Sequence, residues 1–217
     1  MKKIFFPFFY FVSGFVFSQS NFELGLLPKA IFSKEISEKT KWINSVELRT
    51  ILYDDNFQIT HSLIDLSTIL SQKTGLNQSF NFGYILRARD QEIIHRTFQH
   101  YNFVNQYGSL KLAHRLAFEQ FFQSKKRTTY RIRYQISAEK PLNGERVDVN
   151  EFYLKMGNEY LYNFDNNLEI RFTPYLGFRA TKKDRIEIGF DYRISEFIKN
   201  LTMNNLWFRT TWYISLD

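Results

Sequence analysis

The chain has 217 residues, no cysteine and a formal net charge of +7. Without cysteine it has no disulfide framework, no thiol nucleophile and no cysteine-based metal site. Its basic residues are spread along the chain instead of clustered, which argues against a nucleic-acid partner. Aromatic residues make up 18% of the chain, a share typical of proteins with aromatic girdles at membrane interfaces.

The N-terminus has the features of a secretory leader. Two lysines precede the apolar run Ile4–Phe17, and Ser18 is small enough for the last position before a cleavage site. The run is shorter than the roughly 20 residues that a transmembrane helix needs. We therefore predict a signal peptide over residues 1–18 and one exported domain over residues 19–217.

The clearest pattern in the exported domain lies between Leu168 and Ile194, which reads LEIRFTPYLGFRATKKDRIEIGFDYRI. One face of each arm carries large aliphatic and aromatic residues, and the other carries charges of both signs and glycine. Such a period of two is the mark of a β-strand between two different environments. The polar tetrad Thr181–Asp184 interrupts the pattern, so the stretch is predicted to be a hairpin.

The same alternation recurs along the chain and predicts about eleven strands. Two are irregular: Pro28 cannot donate a ladder hydrogen bond, and Glu92–Asn105 mixes polar and aromatic residues on both faces. Besides the two arms of the hairpin, the predicted strands are Asn21–Phe32, Lys41–Tyr53, Ile59–Ser71, Gln78–Arg89, Glu92–Asn105, Leu110–Phe122, Thr129–Glu139, Glu151–Asn163 and Leu206–Leu216. Soluble strands average about 5–6 residues, whereas a tilted membrane strand needs about 9–11, so these lengths favour a membrane.

The predicted fold is all-β, a closed antiparallel up-and-down transmembrane β-barrel. Single-chain bacterial barrels have an even number of strands, because their first and last strands pair antiparallel. Ten strands result if the Pro28 segment lies outside the wall. Twelve result if a break is missed near Asp54–Ser71 or Ser195–Asn205. The prediction is therefore 10–12 strands, with twelve preferred.

In such a barrel the charged face lines the lumen. These residues either form a structural network that fills a narrow interior through charge-assisted bonds, or form an arginine-lined track that selects anionic solutes. The predicted lumen-lining residues are Glu47, Arg49, Arg87, Arg89, Arg115, Glu119, Arg131, Arg133, Lys155, Glu159, Arg171, Arg179, Glu187, Asp191, Arg193 and Arg209.

The sequence lacks the motifs of an enzyme. It has no G-x-S-x-G motif and no phosphate-binding loop, and its four histidines lack metal-ligand spacing. We predict no catalysis, no cofactor and no metal. The exception to test is an outer-membrane lipid hydrolase that uses His114 on the wall, in which His114→Ala would abolish esterase activity. No serine stands at a suitable spacing from His114.

Four motifs resemble those of a family of small exported proteins called domain of unknown function 2490, which is treated as outer-membrane β-barrels. They are KWINSVELR (Lys41–Arg49), HRLAFEQFF (His114–Phe122), YRIRYQI (Tyr130–Ile136) followed by Pro141-Leu142, and NEYLYNFDNN (Asn158–Asn167) before the hairpin. The resemblance implies a barrel in the outer membrane and says nothing of a substrate.

The functional hypothesis is an integral outer-membrane β-barrel that acts as a narrow pore or a structural wall protein. Its expected partners are membrane lipid and the barrel-insertion machinery, with small anionic solutes as candidates for the lumen. The alternative is a soluble periplasmic β-barrel or sandwich that binds a lipid or other apolar ligand inside. That alternative requires an inverted sidedness, with arginines outward and these side chains inward: Phe80, Phe82, Phe172, Phe178, Ile188 and Phe190.

Overall fold

The computed structural model describes residues 21–89, 91–196, 198 and 202–217, so the predicted signal peptide lies outside it. Within these residues the chain forms eleven β-strands. The strands are β1 Asn21–Ser37, β2 Thr40–Asp54, β3 Asn56–Gly75, β4 Gln78–Arg89, β5 Glu92–Tyr107, β6 Leu110–Gln123, β7 Thr129–Pro141, β8 Glu151–Asn163, β9 Asn167–Arg179, β10 Asp184–Ser195 and β11 Met203–Ser215.

The strands form one closed barrel in sequence order. Each pairs antiparallel with its neighbours along the chain, and the barrel closes where β1 pairs parallel with β11, from Asn21 opposite Met203 to Ser33 opposite Ser215. Both strands therefore begin at one end of the barrel, called here the N-terminal end. Both finish at the other, the C-terminal end, which also holds the loop between β7 and β8.

The preference for twelve strands is wrong, and the purely antiparallel arrangement is wrong at the closure. The Pro28 segment belongs to the wall as β1, and the region near Asp54–Ser71 holds one long strand instead of a break. An odd number of strands makes the first and last run in the same direction, so they can pair only in parallel. A parallel ladder is slightly less stable per residue, but closure removes both exposed edges.

The wall separates an apolar outside from a charged inside. Phe82 and Phe190 are 53% and 49% exposed on the outer surface, whereas Glu119 and Asp191 are 1% and 0% exposed inside. The inverted sidedness that the soluble alternative requires is therefore not observed. The structure also assigns the two faces of β5, which the sequence left open. Ile94 and Phe98 point inward, and the outer face carries polar residues such as Thr97 and Gln99.

The dimensions of the wall follow from the strand lengths. Most strands have 12 to 17 residues. A strand of 12 residues is about 40 Å long at roughly 3.3 Å per residue, and at a tilt of about 40° it rises about 30 Å along the barrel axis. Within the described residues, no helix has the length and apolar character needed to cross a bilayer.

Candidate functional site in the charged interior

The barrel encloses a cavity of about 450 Å³ whose lining is dominated by charge. Eleven cationic and six anionic side chains contact it, counted over the described residues. Strand alternation places them there, because every second residue of each strand faces inward. The interior thus has a surplus of positive charge.

The structure brings most of the predicted lumen residues to this cavity. Glu119 is buried beside it, Arg179 lines the mouth at the C-terminal end, and Arg89 lies exposed at the last position of β4. The other predicted residues line the cavity directly: Glu47, Arg49, Arg87, Arg115, Arg131, Arg133, Lys155, Glu159, Arg171, Glu187, Asp191, Arg193 and Arg209.

A chain of ion pairs crosses β6 to β9 in the N-terminal half of the interior. Glu119 lies 2.5 Å from Arg131 and 3.0 Å from Arg133. Arg133 then reaches Glu159 at 3.1 Å, and Glu159 reaches Arg171 at 3.3 Å. Because each internal carboxylate serves two guanidinium groups, the four strands are linked by charge-assisted bonds as well as by their backbone ladders.

A second chain of ion pairs bridges the parallel closure. The Asp191 carboxylate lies 2.8 Å from the Arg193 guanidinium group and 3.1 Å from that of Arg209. Arg209 also reaches Glu47 at 3.2 Å, and Glu47 in turn pairs with Lys29 at 3.2 Å. These ion pairs therefore link β10, β11, β1 and β2 across the seam, the parallel pairing of β1 with β11 that closes the barrel.

Large rings also pack inside this half. The Phe98 ring lies against Gly83 and the Trp207 ring against Gly25, and a Cβ atom at either glycine would overlap the ring. Phe98 is 2% and Trp207 1% exposed. The Arg49 guanidinium lies 4.9 Å from the Trp207 ring centre, a favourable cation–π distance. Ion pairs and rings therefore both pack inside this half.

The C-terminal half is lined by smaller side chains. Ser45, Ser67, Ser137 and Gly157 contact the central cavity. Further cavities of about 220 Å³ and 460 Å³ continue from it to the mouth, sharing lining residues with it and with each other. This half is therefore an open vestibule.

One buried cluster reaches into the vestibule from β8, β10 and β11. Lys155 lies 2.9 Å from Glu187, and Glu187 also accepts hydrogen bonds from the hydroxyl groups of Tyr153 at 2.8 Å and Tyr213 at 2.9 Å. Glu187 is thus fully occupied by protein donors and leaves no free carboxylate at this point.

Several interior residues were not predicted from the sequence. Arg96 lies on β5, whose two faces looked alike, and Lys29 follows Pro28 in the irregular first segment. Tyr153, Tyr175 and Tyr213 also point inward, although none of them was among the predicted lumen residues. Strand parity would have found them, since Tyr153 has the parity of Lys155 in β8, Tyr175 that of Arg171 in β9, and Tyr213 that of Arg209 in β11.

His114, on the outer wall, has structural partners. His114 Nδ1 lies 2.8 Å from the Tyr134 hydroxyl oxygen, and its ring stacks on Phe103 with centroids 4.4 Å apart. Across the described part of the chain, His, Asp and Glu form no group of three or more that could hold a metal ion.

Fold and interior together define a closed all-β barrel with a charged lumen. The chain belongs to a family described as protein of unknown function (DUF2490), whose model matches residues 25–205. This confirms the resemblance seen in the four motifs. Comparison with curated proteins and with solved structures gave no match.

Proposed function

We propose that the protein is an integral outer-membrane β-barrel that acts as a wall protein closed to free diffusion. The observation that carries the proposal is the sidedness of the strands, with large apolar side chains outside and ionised groups inside. Exposed aliphatic and aromatic residues of this size and number are costly in water and favourable against lipid. The predicted leader supports export, and membrane lipid and the barrel-insertion machinery are the partners this proposal implies.

The outer surface also carries amphipathic aromatic residues towards its two ends. Trp42 and Trp212 lie towards the C-terminal end, and their indole nitrogens donate to Thr68 at 2.8 Å and Asp184 at 3.3 Å. Tyr162 and Tyr192 lie towards the N-terminal end, where their hydroxyl groups donate to Asn166 and Asn204. Tryptophan and tyrosine with a bonded polar tip suit the interface between lipid and water.

The interior favours the closed wall protein over the open pore. Ion pairs and buried rings occupy the N-terminal half, and each carboxylate of the two ion-pair chains is already bonded to cations of the wall. Moving such groups aside would leave buried charges unpaired, at a cost of about 3–5 kcal/mol for each broken pair. In this proposal an anion that enters at the C-terminal end meets the two ion-pair chains deeper in the barrel.

The test is single-channel recording of the refolded protein in a planar bilayer, together with fractionation of cell envelopes. We expect the protein in the outer-membrane fraction, resistant to carbonate extraction, and a folded barrel that conducts no steady current. Recovery in the soluble periplasmic fraction would overturn the membrane assignment. A stable current would show that the barrel is open and would leave the membrane assignment intact.

A narrow anion-selective pore is the second candidate, because eleven cations face six anions around the central cavity. It predicts a measurable current that favours chloride over potassium. The same recording decides between the two candidates, since a folded and silent barrel excludes the pore.

A further inference from the structure

We infer that the vestibule at the C-terminal end is a binding site for a small polyanion, a solute with two or more phosphate or carboxylate charges. This goes beyond the proposed function and does not depend on it. The vestibule lies inside the barrel wall, so the site exists whether the outside meets lipid or water.

The charge balance of the vestibule points to an anion. Four cations, Lys111, Arg115, Lys155 and Arg185, line its inner part. Glu187 is held by Lys155 and two tyrosine hydroxyls, and Glu139 lines the cavity of about 220 Å³ together with Lys111, Arg115 and Lys155. Glu139 lies 3.4 Å from Lys111 and 3.8 Å from Arg185, so one carboxylate is shared loosely between two cations.

Arg115 is the cation best placed to hold a ligand. It lines both the central cavity and the cavity of about 220 Å³ above it. Its Nε donates to the Asn102 carbonyl oxygen at 2.9 Å, and it has no ion-pair partner among the described residues. A guanidinium group presents five donors in a planar fork that fits phosphate or carboxylate oxygens. Most of this donor capacity is left for a ligand.

Neutral donors surround Arg115. Gln135 lies opposite it across the β6–β7 ladder, and Ser137 lies opposite Ala113 on the same ladder. Both also line the vestibule. An amide and a hydroxyl group can bind oxygens of an anion without adding charge, which is the mixture of one or two ionised and several neutral groups found in small-molecule sites.

The rim of the vestibule favours entry of anions. Lys41, Arg146, Lys182 and Lys183 line the mouth, with Glu145 and Asp184 as acidic neighbours. Arg146, Lys182 and Lys183 are exposed. Cleft charges of one sign raise the local concentration of oppositely charged solutes and their rate of association. The mouth and the inner part together span about 460 Å³ and 220 Å³, room for a small solute and too little for a polymer.

The experiment is calorimetric titration of the folded protein with inorganic pyrophosphate and, separately, citrate, at low ionic strength. Both probes are polyanions, one with phosphate and one with carboxylate groups, so the comparison shows which chemistry is preferred. We expect saturable one-to-one binding of at least one probe. Arg115→Gln should weaken that binding by about tenfold or more, because it removes a charge-assisted contact.

The matched control is Arg127→Gln, which makes the same charge change at an exposed turn of the opposite end. It should leave the affinity within about twofold, since Arg127 does not line the vestibule. If Arg115→Gln does not fold, Ser137→Glu replaces it. That variant puts a carboxylate beside Arg115 without breaking a native ion pair, and it should abolish binding. Binding of neither probe, or equal weakening by Arg127→Gln, would overturn the inference.

Discussion

The two halves of the interior are built from the same strands but differ in how their charged side chains are paired and buried. In the N-terminal half, Glu119 and Asp191 are 1% and 0% exposed and each bonds two guanidinium groups. In the C-terminal half, Glu139 is 17% exposed in its side chain and has longer contacts of 3.4 Å and 3.8 Å. The buried carboxylates of the N-terminal half each tie two guanidinium groups into the wall, whereas the carboxylate of the C-terminal half is shared loosely between two cations.

The largest difference between the halves should appear when a carboxylate is neutralised. Glu119→Gln removes the carboxylate that pairs with the buried Arg131 and one of the two that hold Arg133, so the free energy of unfolding should fall by about 3–5 kcal/mol. Glu139→Gln, in the open half, should cost less than about 1 kcal/mol. Denaturant unfolding of the two variants in micelles measures both values. Equal losses would show that the halves do not differ in this way.

Truncating a large ring sharpens the same comparison along one strand. Phe98→Ala in β5 leaves a cavity over Gly83, and we expect a loss of about 3 kcal/mol in the free energy of unfolding. Val104→Ala, also inward on β5 but in the vestibule, should cost about 1 kcal/mol or less, because its side chain borders open space. The pair is compared by the same denaturant transition, and a larger loss for Val104→Ala contradicts the account.

Sequence alternation was enough to predict the sidedness of most of the wall. In the hairpin of β9 and β10, every second residue from Leu168 to Phe178 is apolar, so a shift of one residue would expose the wrong face throughout. No such constraint existed for β5, whose outer face carries His95, Thr97 and Gln99. These polar side chains find partners on neighbouring strands, such as Gln120 for Thr97 at 2.5 Å. That is a tertiary property that one strand alone does not reveal.

The closure and the vestibule were beyond the reach of the sequence for a different reason. Whether β1 pairs parallel or antiparallel with β11 depends on the number of strands, and the alternation of Asn21–Phe32 gives no direction for its partner. The candidate residues were identified as charged and inward, but Arg115 and Arg133 look alike in sequence. Their difference arises from their positions along the barrel axis: Arg115 donates to the neutral Asn102, whereas Arg133 is bonded to two carboxylates.

The smallest effect is expected at the C-terminal end of the parallel closure. The Asp217 carboxylate accepts the Glu35 backbone N–H at 2.9 Å and 3.0 Å. Asp217→Ala should cost about 1 kcal/mol or less and speed hydrogen exchange of the Glu35 amide, with the N-terminal half unaffected. Asp165→Ala, in an exposed turn, is the control. Unchanged exchange at Glu35 would show that this contact does not hold the seam.

The most direct test of the account uses the three tryptophans as probes of inside and outside. Trp42 and Trp212 are 46% and 49% exposed on the outer wall, whereas Trp207 is 1% exposed in the interior. In vesicles of lipids with brominated acyl chains, the tryptophan fluorescence of the wild type should be strongly quenched. The Trp42→Phe/Trp212→Phe variant keeps only Trp207, and bromine should not quench its fluorescence. Wild-type fluorescence that bromine leaves unchanged, or a Trp207 quenched as strongly as the outer pair, would contradict the lipid-facing wall.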